Sequence, residues 1–214
     1  MLYKKPLNFF GIGALLVIIC APPTIAAVSQ SLPSPGTYKI DPDHSFAYFG
    51  AWHHVVGLVR GRFDKVTGII TVSQDLAACS VDITIDASSI STQNTERDED
   101  LRGPDFFDVK KFAGLAYHGR GIRRISGGSW IIYGSLTIRG VTKVVPLTFT
   151  FKGLFPDTLP GKPARAAFHA SAATKRADFG MTRDNLMELG AFPSSKPDVE
   201  IEIDVEADAN FPTR

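Results

Sequence analysis

The stretch VEIEIDVE, residues 199–206, decides the fold class, because aliphatic and acidic residues alternate along its whole length. Successive side chains of a β-strand point to opposite faces, so this pattern predicts a strand with one buried face and one face in water. The same alternation is found in residues 81–86 and 145–152, and less regularly in residues 66–73 and 130–139. Antiparallel sheets commonly have one such wet face. The chain is therefore predicted to consist mainly of antiparallel strands.

One segment departs from this pattern. Residues 95–107, TERDEDLRGPDFF, are charged, contain good helix formers up to Arg102 and stop at Gly103-Pro104. They predict a short helix across a rim or end of the sheet. With no other helix to cover the apolar sheet face, about eight strands must bury that face against each other in a closed barrel or a sandwich.

Glycine positions favour the barrel. Gly61, Gly68, Gly134 and Gly140 lie in long strand-like regions, where strongly coiled strands can bend. Gly127-Gly128 predicts a hairpin. We therefore predict an all-β fold: a single eight-stranded antiparallel barrel with an apolar interior and one short rim helix.

The N-terminus has the features of a secretory signal. Residues 1–26 combine Lys4 and Lys5 with an apolar run and a small-residue cleavage site. We expect a linker over residues 27–36, the barrel over 37–208 and a tail over 209–214. Cleavage removes two of the 23 basic residues and none of the 22 acidic ones, which changes the formal net charge from +1 to −1. This balance gives no reason to expect nucleic acid or an anionic membrane as a partner.

The segment HSFAYFGAWHHVVGLVRGRF, residues 44–63, is expected to form part of the inner wall. Strand parity directs its small residues inward, together with Phe49 and His53, and directs Phe46, Tyr48, Trp52 and His54 outward. Small residues opposite large aromatic ones either leave room for a ligand or interdigitate in a filled core, and both alternatives remain open. The predicted ligand-binding residues are Ser45, Ala47, Phe49, Ala51, His53, Phe63, Ile83, Ile85, Leu136, Phe149, Phe168, Arg176 and Phe179.

Polar residues in these segments have two interpretations each. His53 either contacts a ligand head group or is hydrogen-bonded within the wall. Arg97 and Arg176 either bind an anionic or quinone oxygen or pair with the nearby Asp98 and Asp178, which would pin the rim helix and a turn to the barrel.

Catalytic and metal-binding patterns are missing from the sequence. No G-x-S-x-G motif or Ser-His-acid group is present, and the carboxylates alternate outward or lie in turns. His53 and His54 point to opposite faces of a strand, and His118 and His169 have no spaced partner ligands, so no metal site is expected. We expect a protein that is not an enzyme.

Motif order points to a known family. Tyr38 to Asp41 and His44-Ser45 precede Gly61 to Phe63, and the rim segment, Gly140 to Lys143 and Arg176 to Met181 follow in order. This arrangement resembles the YceI-like proteins, which are secreted lipocalin-like β-barrels that bind polyisoprenoids. Arg139 departs from the family's usual His or Asn, Ala113 from its usual Pro, and residues 185–195 from its usual connection, which affects the expected shape of the cavity mouth.

The resemblance implies a periplasmic or secreted protein that binds, sequesters or transports one long apolar ligand. A polyprenyl pyrophosphate or a quinone is the implied ligand, with no cofactor apart from such a bound isoprenoid lipid. A homodimer and a membrane protein that loads or receives the ligand are possible partners. Two alternatives remain open: an enzyme acting on a lipid or amide with His53 as general base, and a filled-barrel interaction protein that docks through Phe46, Tyr48 and Trp52.

Overall fold

Strands make up most of the structure, a computed structural model that describes residues 31–53, 57–155, 163–181 and 199–210. The predicted signal segment 1–26, His54, residues 185–195 and the side chain of His53 lie outside the described part. In chain order the elements are β1 (Gly36–Ile40), β2 (Phe46–His53), β3 (Gly57–Phe63), β4 (Val66–Val72), β5 (Ser80–Asp86), β6 (Ile90–Ser91), α1 (Thr95–Arg102), β7 (Gly114–Arg124), β8 (Trp130–Ile138), β9 (Val141–Phe155), β10 (Arg165–Thr174) and β11 (Val199–Asn210).

These strands close into an antiparallel barrel with eight strand positions. Three positions are each occupied by two consecutive strands, β1 with β2, β3 with β4, and β5 with β6. β11 closes the barrel by pairing with β10 on one side and with both β1 and β2 on the other. The predicted eight-stranded antiparallel barrel is confirmed.

Alternation in β11 shows how the sequence specifies the two faces of the wall. Ile203 and Val205 are buried in the interior, while Glu202 and Asp204 between them are exposed. Burying the aliphatic face removes apolar surface from water, and the carboxylates keep their hydration on the outside.

Two hairpins depend on residues in the left-handed backbone conformation, which has a positive φ angle. Gly127 and Gly128 have φ angles of 70° and 78° between β7 and β8, as the predicted hairpin requires. Arg139 and Gly140 have φ angles of 53° and 73° and form the two-residue turn between β8 and β9, where Ile138 pairs with Val141. Such turns match the twist of the flanking strands. Gly140 therefore reverses the chain, and the expectation that it bends a long strand was wrong.

α1 is the predicted rim helix. The Asn94 side chain caps it by accepting a hydrogen bond from the Arg97 amide at 2.9 Å. Its C-terminal Arg102 donates from Nε to the Ser88 carbonyl at 2.9 Å and from Nη2 to the Ile90 carbonyl at 2.6 Å. These contacts fix the helix beside β6, which has β3 as its single partner among the described strands.

A membrane-crossing helix would need length and apolarity together. None of the helices in the described residues combines the two.

Candidate functional site

The barrel interior holds a cavity of about 400 Å³. Inward-facing residues of β2, β3, β5 and β7 to β11 form its wall, and it extends to α1 and the following loop, where Leu101, Phe106 and Phe107 line it. Small-molecule sites typically measure about 300–1,000 Å³ and are mainly apolar. The cavity has the size and character of a binding site for an apolar molecule.

Most of the predicted ligand-binding residues contribute to this wall. Strand parity places those on strands there, because every second residue of each strand faces the interior. The small side chains of β2 leave the centre open, and Gly61 on β3 makes room for the ring of Phe49, whose Cζ atom would lie 2.5 Å from a Cβ atom at Gly61. The predicted residues that line the cavity are Ala47, Phe49, Ala51, Phe63, Ile83, Ile85, Leu136 and Arg176.

Other predicted residues lie elsewhere. Phe149 and Phe168 line a second, smaller cavity of about 60 Å³. Phe179 is buried but borders neither cavity. Ser45 precedes β2, and its hydroxyl donates to the Glu206 carbonyl at 3.2 Å and accepts from the Glu206 amide at 3.1 Å. Ser45 therefore ties the start of β2 to β11 instead of facing a ligand.

The outer face of β2 differs from the expectation at two positions. Tyr48 and Trp52 were expected to face outward, yet both are half-buried and contribute to the cavity wall. Pairing between β2 and β11 ends at Ala51 and Val199. Trp52 lies one residue beyond the last described pair.

Thr92 is the centre of a polar cluster at the end of the cavity near α1. Asp98 accepts hydrogen bonds from the Thr92 amide at 2.8 Å and from its hydroxyl at 2.6 Å. Arg97 donates from Nε to the Thr92 hydroxyl at 2.7 Å and from Nη2 to its carbonyl at 3.0 Å. Both charged residues therefore bind Thr92, which links α1 to the end of β6. Arg97 and Thr92 also line the cavity.

Arg176 lies at the same end of the cavity. It begins a short 3₁₀ helix, Arg176–Phe179, and its Nη2 donates to the Trp52 carbonyl at 3.3 Å. Asp100 and Thr174 complete the polar part of the lining. Two guanidinium groups thus contribute to the lining of the cavity.

Tyr117 is a wall residue that sequence reasoning missed. Its hydroxyl donates to the carbonyls of Val145 at 3.0 Å and Ile132 at 3.2 Å. Burial raises the pKa of Tyr117 to about 12, so the phenol is protonated at neutral pH and remains a hydrogen-bond donor. The signal for it was a pair of glycines, Gly119 and Gly134, that leave space for an aromatic ring.

The histidines with described side chains lie outside the cavity. His44, His118 and His169 each contact an aspartate, at 2.9, 2.8 and 2.8 Å respectively. Within the described ranges, no group of three or more His, Cys, Asp or Glu residues is arranged to hold a metal ion.

Comparison with known proteins identifies the family. The model of the YceI-like domain matches residues 38–207, from β1 to β11. The chain belongs to the YceI-like family. It is 35% identical over 172 residues to Protein YceI of Salmonella newport, covering 79% of this chain and 85% of the relative.

Solved structures of the YceI-like fold agree with this assignment. The Campylobacter jejuni YceI protein is 26% identical with a TM-score of 0.60, and the match covers 73% of this chain and 88% of that one. A polyisoprenoid-binding domain from Saccharophagus degradans, implicated in plant cell wall breakdown, has a TM-score of 0.56 at 18% identity, over 81% and 98% of the two chains. The latter similarity supports the fold.

Arg139 connects the segments around the cavity mouth. Its Nη2 donates to the Pro104 carbonyl at 2.9 Å, and its Nη1 donates to the carbonyls of Gly180 at 3.1 Å and Asp105 at 3.3 Å. The β8–β9 turn is thereby joined to two loops. An asparagine or histidine side chain is too short to span the same three acceptors.

Proposed function

We propose that this protein binds one long apolar molecule in the cavity, without chemically changing it. An isoprenoid chain, such as that of a polyprenyl pyrophosphate or a quinone, is the proposed ligand. The observation that carries the proposal is the 400 Å³ cavity, with an aliphatic and aromatic wall and polar groups near α1. Membership in the YceI-like family and the fold shared with a polyisoprenoid-binding domain support it.

Burial of the chain supplies the binding free energy. Each buried methylene contributes about 0.8 kcal/mol, so several isoprene units give high affinity with few polar contacts. Part of that gain offsets the lost freedom of the ligand. The cavity also argues against the filled-barrel alternative, in which side chains would occupy this space.

The head group is expected near the two arginines of the cavity wall. Guanidinium groups form bidentate hydrogen bonds with phosphate oxygens. Thr92 accepts hydrogen bonds from Nε and Nη2 of Arg97, which holds the guanidinium group at the cavity wall and leaves its Nη1 for a ligand oxygen. Asp100 lies in the same wall, so the two arginines and this carboxylate give the described lining a net positive charge, which suits the oxygens of either a quinone or a pyrophosphate.

Export to the periplasm is part of the proposal. Residues 1–26 have the composition of a cleavable signal, and the remaining chain has a formal net charge near neutrality. A carrier in this compartment would keep an apolar chain out of water between membranes. We expect a membrane protein to load or receive the ligand, and light scattering would test whether the protein forms a homodimer.

Native mass spectrometry tests the proposal. The exported protein, purified without detergent, should carry one additional mass that organic extraction removes and that lipid analysis identifies as an isoprenoid. A protein that is repeatedly empty, and that takes up no prenol or quinone when these are supplied, would refute it.

A further inference from the structure

Two separate cavities occupy the barrel interior. The larger, of about 400 Å³, reaches α1, whereas the smaller, of about 60 Å³, is lined by residues of the strands and by Leu32 and Cys79. Among the described residues, those lining both cavities are Ile83, Leu147 and Ile203. These three side chains therefore lie at the boundary between the two cavities, which is called the partition below.

The partition is built from three different parts of the wall. Ile83 lies on β5, Leu147 on β9 and Ile203 on β11, and no two of these strands are neighbours in the barrel. The side chains thus approach one another from separate directions. They are 4%, 5% and 7% exposed, and the two isoleucines are β-branched, which restricts their side-chain rotation.

We propose that Ile83, Leu147 and Ile203 set the length of the apolar chain that the protein binds. This inference rests on the proposed function. A chain in the larger cavity gains contacts along its length until it reaches the partition. Further methylenes would have to displace packed side chains, so they bring no additional affinity.

Competition binding with a series of linear prenols tests the proposal. Each prenol displaces the same fluorescent fatty acid, and affinity is plotted against the number of isoprene units. Before the partition is reached, each additional buried methylene should raise affinity about fourfold. In the wild type, affinity should then stop rising with chain length. The plot should show a break at that number of isoprene units. In Ile83→Ala and Ile203→Ala the break should move to longer prenols.

Matched variants distinguish the partition from the rest of the wall. Leu136 lines only the larger cavity, and Val81 lines only the smaller one. Leu136→Ala should weaken binding of all prenols without moving the break. Val81→Ala should have no effect alone, but should alter binding of the longest prenols in an Ile203→Ala background.

Several outcomes would overturn the proposal. One is a break at the wild-type chain length in Ile83→Ala and Ile203→Ala variants whose circular dichroism spectra match that of the wild type. Another is an effect of Val81→Ala alone, which would show that the chain already passes the partition. If the alanine variants do not fold, Ile83→Val and Ile203→Val provide the same test with a smaller shift. If the variants bind prenols but the break stays at the wild-type chain length, only the role of the partition is refuted. A wild type that binds no prenol refutes the proposed function as well.

Discussion

The ring of Tyr117 lies directly against Gly134 of the neighbouring strand: a Cβ atom added to Gly134 would lie 2.6 Å from Cε1 of Tyr117. Tyr117 lines the cavity, and the missing side chain of Gly134 lets its ring lie close to the wall. The shape of the cavity therefore depends on this glycine as well as on its apolar residues.

Gly134→Ala is expected to displace the Tyr117 ring toward the cavity. Overpacking of this kind costs about 1–3 kcal/mol, so the free energy of unfolding should fall by that amount in urea titrations, and prenol affinity should fall with it. Gly50→Ala is the control, because the three atoms nearest to its Cβ would all belong to the flexible side chain of Leu58, the nearest being Cδ1 at 3.1 Å. Equal losses in the two variants would contradict this account.

Tyr117→Phe removes the two hydrogen bonds to Val145 and Ile132 and should lower the free energy of unfolding by about 1 kcal/mol. The folded-state pKa of Tyr117, about 12, exceeds the usual value of 10. The neutral phenol is favoured by folding, so its contribution is complete below pH 10. It is lost as the pH rises toward about 12. An ultraviolet titration of the wild type should show a late phenolate transition that is missing in Tyr117→Phe; identical titrations would refute the assignment.

Asp98→Ala should loosen the connection between α1 and β6. The buried amide and hydroxyl of Thr92 would lose their acceptor, at a cost of about 1–3 kcal/mol in the free energy of unfolding. Glu99→Ala, at the exposed neighbouring position, should have little effect. Denaturation and amide exchange over residues 95–102 provide the measurement, and similar behaviour of both variants would argue against the Thr92 cluster.

The variant Arg139→Asn distinguishes the role of Arg139 in the turn from the role of its hydrogen bonds at the cavity mouth. Asparagine tolerates the left-handed conformation, so the turn should be retained while the three hydrogen bonds to carbonyls are lost. We expect faster amide exchange in residues 103–109 and 177–181, and faster ligand release, with a nearly unchanged melting temperature. Lys143→Gln, on the exposed side of the same hairpin, should leave exchange unchanged. Unaltered exchange in Arg139→Asn would refute the role of Arg139.

The sequence predicted the barrel because alternation is a local property that follows directly from strand geometry. It placed Ala47, Phe49 and Ala51 in the cavity wall for the same reason. Parity gives the face of a residue but not its height in the barrel, so Phe149 and Phe168 could not be distinguished from residues of the larger cavity.

Long-range polar contacts could not be predicted in this way. Ser45 pairs with Glu206, which is 161 residues away, and Arg139 reaches carbonyls more than 30 residues away. Such contacts depend on which loops the closed barrel brings together. Tyr117 was missed because its two glycine neighbours lie on different strands.

The position of a bound chain tests the central claim most directly. Intermolecular nuclear Overhauser effects would be measured between a bound prenol and methyl-labelled protein. We predict contacts with Leu136 and Ile138 in the larger cavity. Contacts confined to outer-surface methyls, such as those of Val144 at 71% exposure and Ile69 at 46%, would contradict the claim that the cavity holds the ligand.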